Sequence, residues 1–129
     1  MARPNPIRAI MEQPLPSITY QRRKLFRPSY ADINYAYNII NKYVFDGQLV
    51  KPKITKRVIH KTWGYCAWEL EEQRSGSFCD IHLYDKWFCP QWFMNTIAHE
   101  MVHLFQFQYK EPIGHGPSFW VWNDNFHLA

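Results

Sequence analysis

Apolar positions along the chain change period several times, and each change marks an element. Ile33, Ala36, Tyr37, Ile40 and Val44 recur at three- and four-residue steps, the signature of one buried helix face. Ser29 or Asp32 can cap that helix, which is predicted to run to about Phe45. Asp46-Gly47 then ends it, because Gly supplies the left-handed conformation of a C-cap. Beyond Pro52, Ile54 to Ile59 reads as a strand. Trp63 to Glu72 and Phe78 to Tyr84 alternate apolar and polar residues (Cys66, Trp68, Leu70; Cys79, Ile81, Leu83) on either side of Arg74-Ser75-Gly76-Ser77, which predicts a β-hairpin. Gln91 to Tyr109, with Pro90 in its first turn, is apolar almost all round and belongs at the centre of a domain. Pro112 and Gly114 break the chain, and Pro117 can start a last short helix reaching Trp122 or Phe126. The order predicts an α+β domain: a small antiparallel sheet of about three strands packed on a central helix, with one helix before it and one short helix after.

Composition narrows the class. A chain of 129 residues, 47% hydrophobic, suits one domain with a real core. It has no apolar run long enough to span a bilayer and no apolar leader in Met1 to Ile10, so neither a membrane nor a secreted protein is expected. Cys66, Cys79 and Cys89 are too few for a disulfide scaffold and read as reduced thiols in a cytoplasmic protein. Residues 1–28 hold five of the nine Pro and form a basic arm preceding a domain over 29–129. Charge is uneven: residues 1–61 carry 12 Lys and Arg against 3 Asp and Glu, whereas residues 62–129 carry 3 against 8. That asymmetry suggests a surface facing a polyanion such as nucleic acid.

The central helix also carries His99-Glu100-Met101-Val102-His103. A four-residue step turns an α-helix about 40° past a full turn, so His99 and His103 project side by side and can fill two corners of a zinc site. Glu100 then lies beside the open corner, where it can act as general base on a metal-activated water and pass the proton to a leaving amine. Candidates for the third ligand are His60, His82, His115, His127 and the acids after the motif. His115 is set apart by Gly114 and Gly116, which let the chain turn back towards the helix.

The pentapeptide followed by Gly114-His115-Gly116-Pro117-Ser118-Phe119 resembles the SprT-like (Spartan) zinc metalloprotease domain. Asn34 to Leu49, Trp63-Gly64-Tyr65 and Asp80-Ile81-His82-Leu83 are similar to the segments that precede the motif in that family, so the likeness spans about residues 30–122. The resemblance implies a zincin-like fold with Zn2+ on His99, His103 and His115 and Glu100 as base. It also implies a protein or peptide substrate, which in studied members is bound or crosslinked to DNA. The strand from Phe78 to Tyr84 would pair with that substrate by β-augmentation. The stretch between the second and third histidines, Leu104 to Gly114, is short and should narrow the cleft, and no four-Cys set is present for the zinc ribbon that many relatives carry.

Three functions remain distinct at this stage: a monomeric zinc endopeptidase, a non-catalytic metal-stabilised module that binds nucleic acid or protein, and a metal-free interaction domain. The six Trp are expected mainly in the core. Trp87 and Trp92 flank Pro90, where a loop enters the helix.

Overall fold

Ser29 starts the first helix, α1 (Tyr30–Val44). Its Oγ accepts the Asp32 backbone N–H at 3.1 Å, and the Asp32 carboxylate accepts the Ser29 N–H at 2.8 Å. The two expected caps are thus halves of one capping box, which satisfies two orphan donors together. Ile33, Ala36, Tyr37 and Ile40 are buried as their spacing predicts, and Val44 is half-buried. The helix ends at Phe45, after which Asp46 (φ 54°) and Gly47 (φ 73°) are both left-handed and the Gly47 N–H returns to Asn41 O at 2.8 Å.

This computed structural model describes residues 25–59, 62–67 and 80–122. The basic arm up to residue 24, the turn expected at 74–77, His60 and His127 lie outside them. Three strands follow α1: β1 (Ile54–Arg57), β2 (Gly64–Ala67) and β3 (Asp80–Tyr84). The sheet corrects the antiparallel expectation, because it is mixed, in the order β1-β3-β2. β2 pairs antiparallel with β3 as a hairpin would, Cys66 opposite Ile81, whereas β1 pairs parallel with β3, Ile54 opposite Ile81. The physical reason is the connection. Ile81 and Leu83 of β3 are fully buried between the two other strands, and β1 is separated from β3 by residues 58–79, β2 among them, a span long enough for the crossover that a parallel pair requires. Alternation tells which face a residue occupies but not which strand lies next to it.

The long helix α2 (Pro90–Gln108) has Cys89 as N-cap and Pro90 at its first position, and it packs on β2, on α1 and on the short helix α3 (Pro117–Trp120). Phe93, Met94, Ile97, Ala98, Met101 and Val102 are buried along it. Gly64 permits the close approach of β2: a Cβ there would lie 3.2 Å from His82 O and 3.3 Å from Thr96 Cγ2. Before α1, Phe26 and Trp87 exchange backbone hydrogen bonds of 2.7 and 2.8 Å, so the residues just ahead of α1 are tied to the loop that leads into α2. None of the described helices is long and apolar enough to cross a membrane.

Candidate metal centre

His99 and His103 lie one turn apart on α2, and their side chains meet a third imidazole from the loop beyond it. The Nε2 atoms of His99, His103 and His115 stand 3.2 Å from one another in all three pairs. Gly114, at φ 147°, makes the turn that brings His115 in, a conformation that favours glycine. Gly116 has an ordinary φ of −83° and acts instead as N-cap of α3. Of the two small neighbours, one is required by the backbone.

Beneath the triad lies Phe119, buried in α3, with its ring 4.7 Å from those of His99 and His115 and 5.2 Å from that of His103. Beside it sits Gln106, a fully buried polar side chain that the sequence reading gave no role. Its Oε1 receives the Gly114 N–H at 3.3 Å, and its Nε2 donates to Gly114 O at 3.1 Å and Ser118 Oγ at 2.9 Å. Those backbone partners fix which end of the amide is oxygen. Because that oxygen accepts, the His103 Nδ1 at 2.9 Å must carry the proton, which leaves Nε2 with a lone pair directed at the other two histidines. Ser118 Oγ in turn donates to Pro112 O at 2.9 Å. Gln106 therefore sets the tautomer of one candidate ligand and anchors the loop of another. Its spacing was the available signal: three residues after His103, it shares that face in an otherwise apolar run.

Burial lowers the pKa of His103 from its ordinary value, with the Gln106 bond opposing and the nearby His115 assisting. Glu100 is 5% exposed, and burial pushes its carboxyl up to about 7. Both shifts follow from the cost of charge in a poorly solvated site. The three histidines and Glu100 line one wall of a cleft of about 900 Å³, whose other wall is Thr62 to Cys66.

Among the described residues the three histidines form a cluster able to hold a metal ion. His82, the other described candidate, does not join them. It lies on the far face of the sheet, with Nδ1 2.6 Å from Thr55 Oγ1 and its ring against Tyr65. Burial there lowers its pKa, with the Arg57 charge adding to the effect. The strand beside the cleft also differs from expectation. β3 has both ladder edges filled, whereas β2 pairs on one side only among the described residues, and Gly64 to Cys66 of β2 line the cavity.

A search of curated proteins found no match to this chain. The SprT-like family model, by contrast, matches residues 33–128, a span that runs from the first buried turn of α1 through the histidine triad. The chain belongs to the SprT-like family, a family associated with metalloprotease-like domains.

Proposed function

We propose that this protein is a zinc-dependent endopeptidase with a zincin arrangement, in which His99, His103 and His115 hold the metal and Glu100 is the general base. The observation that carries the reading is the triangle of Nε2 atoms at 3.2 Å with Glu100 beside it on the cleft wall. Zn–N bonds of about 2.0–2.1 Å at tetrahedral angles put three imidazole nitrogens about 3.3–3.4 Å apart, so the residues present fit a zinc ion. Three protein ligands also match a catalytic site rather than a closed structural one. When bound, zinc supplies Lewis acidity and lowers the pKa of a coordinated water to about 7.

The rest is done by side chains of this chain. Glu100, buried on the cleft wall beside the histidines, is the carboxylate placed to take a proton and give it to a departing amine. Gln106 keeps His103 in the ligating tautomer, and Phe119 closes the floor of the triad against water. Paired on one side only among the described residues, β2 offers an edge to which an extended peptide can add as a further strand. Substrate is then protein or peptide.

A metal-stabilised binding module would need the histidines but would have no use for Glu100. Glu100→Gln separates the two. The variant should keep one zinc per chain by elemental analysis while cleavage of an unstructured protein falls by about 10²–10⁴-fold. Equal degradation by both proteins would rule out the peptidase.

A further inference from the structure

Two turns before His99 and Glu100, the same cleft becomes aromatic. Trp63, Phe88 and Trp92 stand with ring centroids 5.0–5.4 Å apart in all three pairs. Trp63 also rests on Trp87 at 5.2 Å and meets Tyr84 at 5.5 Å, edge to face. Trp87 is fully buried, and its indole N–H donates to Tyr84 O at 2.8 Å. The cluster thus has a fixed back and an open front, since Phe88 is 62% and Trp92 39% exposed.

Trp63 and Trp92 line the same cavity as the histidine triad, with Gly64, Asn95 and Thr96 between them. The cluster is therefore continuous with the proposed catalytic site. Glu100 is the only carboxylate among the described lining residues, so none of those at the aromatic end pairs with a basic side chain.

We infer that Trp63, Phe88 and Trp92 form a side-chain subsite that takes an aromatic or large aliphatic residue of an extended peptide, three or four residues from the bond that is cut. The inference rests on the peptidase reading and names its substrate preference. Eight residues of helix separate Trp92 from Glu100, about 12 Å at the α-helical rise. An extended chain covers that distance in three to four residues. Tilted and edge-to-face packing is what aromatic rings prefer, and the partly exposed rings offer a guest ring that geometry on two sides.

The test is cleavage profiling of a randomised peptide mixture by the zinc-loaded full chain, read by mass spectrometry. Phe, Tyr, Trp or Leu should be enriched at a position three or four residues to one side of the scissile bond. Phe88→Ala and Trp92→Ala should each erase the enrichment and lower kcat/KM for a matched aromatic peptide about 10-fold or more, mainly through KM. Tyr43→Ala, on the exposed surface of α1, should leave the profile as it is. Binding of the same peptide to zinc-loaded Glu100→Gln, read by tryptophan fluorescence, reports the subsite without cleavage and should be lost when Trp92→Ala is added.

Cleavage with no such enrichment, with enrichment of Lys or Arg, or with a profile unchanged in both variants overturns the subsite and leaves the peptidase standing. Peptide binding that needs Trp92, without cleavage by the wild type, overturns the peptidase and leaves the subsite. A single-stranded oligonucleotide that displaces the peptide and binds more tightly assigns the rings to nucleobases and overturns the inference. Neither cleavage nor binding overturns both.

Discussion

At the histidine end of the cleft, His103 and Gln106 are committed atom by atom to named partners, whereas eleven and fourteen residues earlier on the same helix Trp92 meets its neighbours ring against ring. Both ends are partly buried and both face the same cavity, yet they should respond differently to change. Hydrogen bonds among buried groups are directional, and a lost partner leaves the full desolvation cost behind. Ring packing has preferred geometries but shallow ones, and it gives way by degrees. One end is built to hold a point in space, the other to accept a shape.

Substitutions can break that contrast or sharpen it. His115→Ala should have the largest effect: removing one of three ligands should abolish stoichiometric zinc binding, and undiminished occupancy by elemental analysis would move the third ligand elsewhere. Gln106→Leu keeps the volume and every ligand but removes the hydrogen bonds. Zinc affinity, measured by competition with a chelator, should fall about 10–100-fold. Equal affinity would show that the network serves only packing. Gly64→Ala tests the wall between the two ends. Its Cβ would crowd His82 O and Thr96 Cγ2, so the chemical denaturation midpoint should drop by an equivalent of about 1–3 kcal/mol. The smallest effect is expected at the aromatic end, where Phe88→Ala should change stability by no more than about 0.5 kcal/mol because the ring is mostly solvent-exposed. A large loss there would mean that Phe88 holds the fold together.

Sequence and structure agree most closely where the geometry is local. His99 and His103 face one way because four residues nearly close a helical turn, and Ser29 and Asp32 cap α1 because three residues separate N-cap from N3. His115 is legible through Gly114, whose φ of 147° the chain could scarcely reach with another residue. What the pattern leaves open is non-local. The parallel pairing of β1 with β3 and the edge position of β2 depend on how the chain crosses over between distant strands, and alternation carries no such information. Gln106 is a similar case. A glutamine in a helix is ordinarily solvent-facing, and only the return of the loop at Gly114 and Ser118 makes it a buried hub. Trp87 fits the core expectation and Trp92 departs from it, since the turn at Cys89-Pro90 leaves one inside and the other on the cleft.

The contacts of Gln106 with Gly114 and Ser118, and of Phe119 with the imidazoles, hold the third-ligand loop through protein groups alone. An unordered loop would have to surrender backbone freedom as it closed on an ion, at about 1–2 kcal/mol of entropy for each residue fixed. Here that surrender accompanies folding of the chain instead. Metal uptake becomes the filling of a seat rather than the making of one, so zinc should enter and leave without the chain refolding around it, unlike small zinc domains that are unfolded until the ion arrives.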